Sequence, residues 1–296
     1  MPAGLLALRK PGGPTSAAVA ERVRRLIGQR RVGHSGTLDP AADGVLVMAY
    51  GSATGLFPYL LPDKTYRAVI RLGATTSTGD ACGETLTAAG VPSLNVEQIT
   101  ATLAQWEGPQ LQIPPMVSAR RHKGERLYEI ARRGESVLRP PRRVQIHRLR
   151  LLEWQPPDAS LEVHCSTGTY IRSLAAELGM VWGCGAHLLR LTRTACNGFT
   201  WEQAADWDAF QIAAAAGNWR RYAVEPAQAL AHLPSVTVDE AGCAAVAHGR
   251  PLPAPDSLVA ENGPVRVLDQ AGRLLAVARP ADGQLLMARV LASPAG

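Results

Sequence analysis

Val32-Gly33-His34-Ser35-Gly36-Thr37-Leu38-Asp39-Pro40 runs straight into Ala41-Ala42-Asp43-Gly44-Val45-Leu46-Val47. Two glycines and an Asp-Pro pair make the first nine residues a tight turn, because glycine takes backbone angles closed to other residues and proline fixes its own. The apolar run from Gly44 to Ala49 then reads as a buried strand. A carboxylate, an imidazole and two hydroxyls therefore sit on a compact loop beside a core strand. That is a common way to hold functional groups on a rigid support. An Asp before Pro ordinarily caps its own turn.

Working outward, the chain has 296 residues, enough for one or two domains with a sizeable core, and 46% hydrophobic content, ordinary for a globular protein. The net charge of +6 favours a polyanionic partner. There is no apolar run long enough to span a bilayer and no charged-then-apolar leader at Met1–Lys10, so a cytoplasmic location is expected. Five cysteines without a Cys-x-x-Cys pair suggest neither a zinc site nor a disulfide framework. No nucleotide-binding glycine fingerprint is present.

Gly4–Leu8 is a short apolar segment closed by Lys10-Pro11-Gly12-Gly13-Pro14. Thr15 or Ser16 can cap the helix that follows, whose core face is Val19, Val23, Leu26 and Ile27. Its other face is rich in arginine, and Arg30 and Arg31 lie just before the Val32–Pro40 loop, where phosphate contacts would fall. Lys64–Gly73 alternates as a strand, with Tyr66, Ala68, Ile70 and Leu72 on one face. Thr75–Gly83 is a polar turn region in which Asp80 is given no chemical role. Asn95 and Gln98 form a capping box before a helix with Val96, Ile99, Leu103 and Trp106 on one face. From Arg120 to Arg150 basic residues crowd the chain, with His122 and Tyr128 between them. Charge that tracks phosphates and rings that stack on bases suit an RNA surface. Leu161, Val163 and Cys165 alternate as a strand, and Ile171, Leu174, Ala175 and Leu178 give a helix stripe. Arg172 falls in the first turn of that helix. A cation is disfavoured there by the helix dipole, which points to a specific anionic partner. Trp201–Ala216 reads as helical. After Leu230–Pro234, short strands broken by Gly and Pro form a small β-rich unit.

Gly-His-Ser-Gly-Thr-Leu-Asp-Pro-x-Ala-x-Gly-Val-Leu at positions 33–46 closely resembles the signature of the TruB family of tRNA pseudouridine-55 synthases. Further segments resemble that family in order: Lys10-Pro11, Lys64-x-Tyr66-Arg67, Ser118-Ala119 through Gly134, Cys165-Ser166-x-Gly168-Thr169-Tyr170-Ile171-Arg172, and Gly185-Ala186-His187. The resemblance implies that Asp39 is the catalytic aspartate and that Arg172 pairs with it. It implies that Tyr66 lies against the target base, where it is expected to stack and to assist catalysis by helping proton removal at C5, and that Tyr170 and Leu191 touch the nucleoside. His34 would fill the space of the flipped base or stack on a displaced neighbour. The ion pair would keep Asp39 charged and aimed. Lys10, Arg31, Arg121, Lys123, Arg126, Arg132 and Arg133 are the expected RNA contacts, and His187 is expected to be structural.

The fold implied is an α/β (α+β) pseudouridine synthase fold. A central, mostly antiparallel mixed sheet flanked by helices would occupy residues 1–232, with a basic insertion at about 115–145. A PUA-like RNA-binding β module would occupy 233–296. The expected partner is the tRNA T-arm, with no guide RNA, no cofactor, no metal and no membrane, and the chain is expected to be a monomer. The rival readings are a tRNA-binding or RNA-folding chaperone on the same scaffold, a synthase working within a guide-RNA particle, and an unrelated basic metabolic enzyme.

Overall fold

The computed structural model describes residues 3–118, 121–122, 124–259 and 263–291. The chain opens with β1 (Gly4–Lys10), α1 (Ser16–Leu26), β2 (Val32–His34) and β3 (Asp43–Tyr50). β1 and β3 pair antiparallel from Gly4↔Tyr50 to Lys10↔Gly44. β3 is apolar without alternation because both its faces are covered. Leu46, Met48 and Tyr50 pack with Val19 and Val23 of α1, whereas Val45, Val47 and Ala49 pack with Ala53 and Leu56 of a 3-10 helix over Gly51–Tyr59. Thr15 caps α1 by accepting from the Ala18 N–H, and this leaves Ser16 free for another task.

Next come β4 (Lys64–Leu72), the hairpin of β5 (Ala74–Thr76) and β6 (Thr85–Ala88), α2 (Val96–Ala104) and β7 (Gly108–Gln112). The capping box of α2 forms as expected from Asn95 and Gln98. Ile99 and Leu103 are buried, but Val96 is exposed. Val96 is the first residue of the helix.

The ladder of β8 (Arg121–His122) and β9 (Glu125–Arg126) leads to α3 (Leu127–Arg132). Then follow β10 (Arg142–Gln155), β11 (Asp158–Cys165), α4 (Ile171–Val181) and β12 (Ala186–Cys196). The basic run is therefore not one surface element. Arg142, Arg143, Arg148 and Arg150 lie on β10, a strand of the central sheet, with Val144, Ile146 and Leu149 turned inward between them.

β13 (Phe199–Thr200), β14 (Ala205–Asp206), α5 (Trp207–Ala215), β15 (Ala223–Val224) and α6 (Pro226–Ala229) complete the first part. The helix expected over 201–216 begins only at Trp207. Asp206 caps it, and the residues before it pair alongside β1. The central sheet runs β14-β1-β3-β12-β4-β11-β10-β7, with β13, β15 and β2 attached at its sides. The β1–β14 and β3–β12 contacts are parallel and the others antiparallel. α2 and α4 cover one face, where Ile99, Leu174 and Leu178 meet Ile70, Leu161 and Leu188.

The last stretch holds β16 (Ser235–Thr237), α7 (Glu240–Ala247), β17 (Leu252–Pro253), α8 (Asp256–Val259), β18 (Val265–Leu268), β19 (Leu274–Ala281) and β20 (Gln284–Val290). Its five strands form a second sheet with its own core around Val246, Val267 and Leu285. Leu274 and Val277 pack instead into the cluster of Leu5, Val47 and Leu56. Among the described residues no helix is long and apolar enough to cross a membrane.

Candidate active site

Past Ser35, whose N–H donates to Val47 O at 3.0 Å, the loop between β2 and β3 leaves the sheet ladder and presents Asp39. Distant side chains satisfy it instead. The Ser16 hydroxyl accepts from the Leu38 N–H at 2.8 Å and donates to the Leu38 carbonyl at 3.1 Å. Lys10 Nζ donates to the carbonyls of Pro11 at 2.7 Å, Ala42 at 2.7 Å and Pro40 at 3.3 Å. Arg193, fully buried, donates to Val45 O at 2.7 Å, Gly36 O at 3.2 Å and Thr37 O at 3.4 Å. Gly44 makes this approach possible. Its φ is +115°, and a Cβ there would lie 2.2 Å from the Arg193 carbonyl oxygen.

Lys10 is thus reassigned. At 1% exposure it faces loop carbonyls, and no phosphate reaches it. Burial pulls its pKa down to about 8, against the opposing pull of Asp43 and Asp39.

Asp39, partly exposed, meets the expected anion-binding cation. Arg172 Nε lies 2.9 Å from Asp39 Oδ2, and Arg172 Nη2 donates to Asp39 Oδ1 at 3.2 Å. The paired contacts match the fork of a guanidinium to a carboxylate. The remaining donors are also used: Nη1 to Thr78 O at 3.0 Å and Nη2 to Val117 O at 2.7 Å. Arg172 is 4% exposed, so its partners aim it from every side. Asp80 Oδ2 stands 3.7 Å from Arg172 Nε. Asp80, read in the sequence as a turn residue only, is a second carboxylate beside this cation.

Arg172 is placed by its helix. Tyr170, the residue before α4, has no side-chain cap of its own. Gln112, at the end of β7, substitutes for one: its Oε1 accepts from the Tyr170 N–H at 2.6 Å and its Nε2 donates to Tyr170 O at 3.0 Å.

A cleft of about 330 Å³ opens above the Asp39–Arg172 pair, lined also by Lys64, Tyr66, Ser118, Thr167–Ile171 and Leu191. Tyr66 and Leu191 come from the inward faces of β4 and β12. Burial pushes the Tyr66 phenol far above its ordinary range, with Arg193 directly across the strand pair opposing the shift. It is a neutral phenol at physiological pH. Lys64 Nζ donates to Thr167 Oγ1 at 3.1 Å, and its pKa is lowered by burial and by Arg193. The Ser118 hydroxyl is buried with no hydrogen-bond partner. A buried polar group left open on a cleft wall is a ready contact for a ligand.

The other expected site residues are more scattered. His34 lies on β2 and does not line the cleft. Its Nδ1 is buried without a partner, and burial with Arg193 lowers its pKa. Arg31 is exposed. Arg133 is engaged by Glu125 and Glu135, so an RNA phosphate would have to displace those carboxylates. Lys123 lies outside the described residues, as do the side chains of Arg121, Arg126 and Arg132. His187 is 8% exposed and its Nδ1 is 3.0 Å from Ala74 O, a structural contact.

A family model described as "TruB family pseudouridylate synthase (N terminal domain)" matches residues 24–171, which hold the Asp39 loop, Tyr66 and Gln112. The tRNA pseudouridine synthase B of Thiobacillus denitrificans (strain ATCC 25259 / T1) is 44% identical to this chain, covering 98% of it and 96% of the relative. The chain belongs to the TruB family. A second relative, the tRNA pseudouridine synthase B of Pseudomonas aeruginosa (strain UCBPP-PA14), is 39% identical over 98% of this chain and 96% of its own. Among solved structures, one described as "Crystal Structure of a Cbf5-Nop10-Gar1 Complex" aligns with a TM-score of 0.75 at 25% identity, covering 98% of this chain and 85% of that one. The fold is thus that of the family's catalytic sheet followed by a small β unit.

The residues that sequence reasoning passed over in this TruB-family cleft are Gln112, Ser118, Lys64, Arg193 and Asp80. Lys64 and Arg193 did carry a signal: each is a cation on the inward-facing row of an alternating strand, a position that demands a partner. Gln112 and Asp80 carried none, because their partners are set by tertiary approach alone.

Proposed function

We propose that this protein isomerises uridine 55 in the T-loop of tRNA to pseudouridine, with no guide RNA and no cofactor. The observation that carries this reading is the Asp39 carboxylate, held in a two-point contact by a buried arginine at a cleft walled by Tyr66, Tyr170 and Leu191. The net reaction breaks the uracil N1–C1′ bond, joins C5 to C1′, removes the C5 proton and leaves a proton on N1. It needs no redox partner and no energy input.

In this scheme Asp39 acts on the nucleoside, either as a nucleophile at C6 or C1′ or as the base that takes a ribose proton. Arg172 keeps the carboxylate oriented between those targets. Tyr66 supports the base as a neutral ring, since its burial opposes formation of a phenolate. Tyr170 and Leu191 close the sides. The Ser118 hydroxyl and the Lys64 ammonium offer donors to the oxygens of the base or ribose.

Uridine in a folded loop must leave its stack first, which costs a few kcal/mol. That cost is met by base contacts in the cleft and by backbone contacts from the basic surface. His34 would take up the space that the base leaves. Residues 1–232 form the catalytic unit in this reading, with the insertion at about 115–145 gripping the T-arm. Residues 233–296 form a PUA-like RNA-binding module. The chain would act as a monomer in the cytoplasm.

The test is purified full-length protein with an unmodified tRNA transcript and nothing else added, followed by chemical mapping of pseudouridine. Conversion at the T-loop uridine, lost in Asp39→Asn while tRNA binding persists, is the expected result. Tight binding without conversion by the parent protein would replace this reading with that of a chaperone or a guide-dependent enzyme.

A further inference from the structure

On the side of the central sheet away from the cleft, three ligand-type side chains converge: Asp63 just before β4, His147 on β10 and His164 on β11. His147 Nε2 is 3.1 Å from Asp63 Oδ1, and His164 Nε2 is 3.9 Å from Asp63 Oδ2. The two imidazole centroids are 4.8 Å apart. Each residue offers a ligand atom within 4.8 Å of the other two, and among the described residues this is the group of such side chains that meets metal-binding spacing.

The backbone arranges this meeting. His164 faces outward because Val163 and Cys165, its neighbours on β11, face the core. His147 follows the buried Ile146 and therefore faces outward, onto the side of the sheet that His164 occupies. A β-bulge intervenes: Ile146 pairs with Cys165 and Arg148 with His164, so His147 is the extra residue. Two residues, His147 and Arg148, thus oppose His164, and both are exposed on its side of the sheet. Asp63 is held from behind, its carbonyl accepting from the Asn197 N–H at 3.2 Å.

We propose that Asp63, His147 and His164 form a binding site for a divalent transition metal, zinc first. Bonds of about 2.1 Å set the ligand atoms of one tetrahedral zinc roughly 3.4 Å apart. The two aspartate–histidine distances bracket that value, and the side chains are exposed enough to close the remaining gap by rotation. Two imidazoles and one carboxylate select zinc, cobalt, nickel or copper over magnesium or calcium. Three protein ligands leave a position for water, and solvent reaches the site directly. The ion would tie β4, β10 and β11 together one residue behind Lys64 and three residues before Thr167, both on the wall of the cleft. The thiols are not part of it: Cys165 is fully buried on the opposite face.

The experiment titrates the full-length protein with zinc chloride by calorimetry, and with cobalt chloride by visible absorption, on parent, His147→Ala, His164→Ala and Cys82→Ser proteins. The expected result is one zinc per chain. Each histidine replacement should weaken binding by more than the roughly 10–100-fold typical of losing an outer-sphere partner. Cys82→Ser should bind as the parent does. Cobalt should give the bands of a four- or five-coordinate ion without thiolate charge transfer, and zinc should raise the melting temperature of the parent but not of His164→Ala. No binding by the parent, binding unchanged in both histidine variants, or loss of binding in Cys82→Ser would each overturn the proposal. Because the histidine side chains are solvent-accessible, their variants should fold, and circular dichroism checks that they do.

Discussion

Replacing Gln112 by Met removes two hydrogen bonds and little else. The side chain is 3% exposed and the substitution nearly preserves its volume, so packing is retained. The two bonds are not equivalent. The Tyr170 carbonyl keeps a second partner, because the Leu174 N–H also donates to it at 3.1 Å. The Tyr170 N–H loses its acceptor, and an orphaned buried donor costs about 1–3 kcal/mol. At about 2 kcal/mol, the melting temperature should fall by roughly 3 °C for a chain of this size.

The effect on catalysis should be larger than this loss of stability implies. Tyr170 lines the cleft and begins the helix that carries Arg172. A shift of about 1 Å in a positioning element costs on the order of 100-fold in rate. The assay is single-turnover isomerisation of a tRNA transcript beside thermal melting. Gln112→Met should lose about two orders of magnitude in rate at saturating tRNA while binding tRNA nearly as well. Gln112→Glu, which keeps the acceptor for the Tyr170 N–H, should recover much of it. A Met variant with parental turnover and a lowered melting temperature would refute the positioning argument and leave Gln112 a purely structural residue.

Arg172→Lys keeps the charge but gives up the fork, and it strands the carbonyls of Thr78 and Val117. Turnover should fall at least about 100-fold, and near-parental kcat would show that charge alone suffices. Gly44→Ala drives a methyl into the Arg193 backbone at a φ of +115° and should cost about 3 kcal/mol or more, read as a lowered urea midpoint; an unchanged midpoint would mean that β3 and β12 separate more easily than their spacing suggests. Burial raises the Glu177 carboxyl from 4.5 to about 7. The native state therefore holds its proton where the unfolded chain has released it, and stability falls as pH rises from about 4.5 to 7. Glu177→Gln should stabilise by on the order of 2 kcal/mol at pH 8 and by little at pH 4, allowing for the partial solvent contact of the group. Equal gains at both pH values would exclude ionisation as the cause.

The Asp39 loop and its strand were legible in the sequence for a physical reason. Turn chemistry is local, and a six-residue apolar run leaves few alternatives to a doubly covered strand. Arg172 was legible as an anomaly, a cation where the helix dipole disfavours one, and its carboxylate partner supplies the compensation. Lys10 misled because a lysine near a basic, loop-rich entrance reads as a phosphate contact. Only the folded chain brings the carbonyls of Pro40 and Ala42 around its ammonium. The run from Arg120 to Arg150 read as one basic segment because charge density ignores alternation: Val144, Ile146 and Leu149 commit its second half to a sheet strand, on which Arg142, Arg143, Arg148 and Arg150 stay exposed. The start of α5 at Trp207 was hidden because Glu202, Gln203 and Ala204 are as good helix formers as the residues of the helix that follows.

The site rests on buried cations doing work that backbone pairing cannot. Lys10, Lys64, Arg172 and Arg193 are all at most 9% exposed, and the nearby carboxylates are Asp39, Asp43 and Asp80. Taking four cations out of water is costly unless each is hydrogen-bonded. The loop carbonyls at Gly36, Thr37, Pro40 and Ala42 meet that need for Lys10 and Arg193, while Arg172 bonds Asp39 and the Thr78 and Val117 carbonyls and Lys64 bonds Thr167. Each side answers the other's desolvation cost, so the arrangement holds a protruding loop rigid without sheet hydrogen bonds. It also leaves the site one positive charge in excess of its carboxylates, in a medium where charge is poorly screened. An anionic nucleotide entering the cleft meets that excess, whereas a neutral base alone does not. The same chemistry that fixes Asp39 in place therefore favours a substrate still attached to its phosphates, and a free nucleoside should be a far poorer ligand than the same nucleoside within an RNA strand.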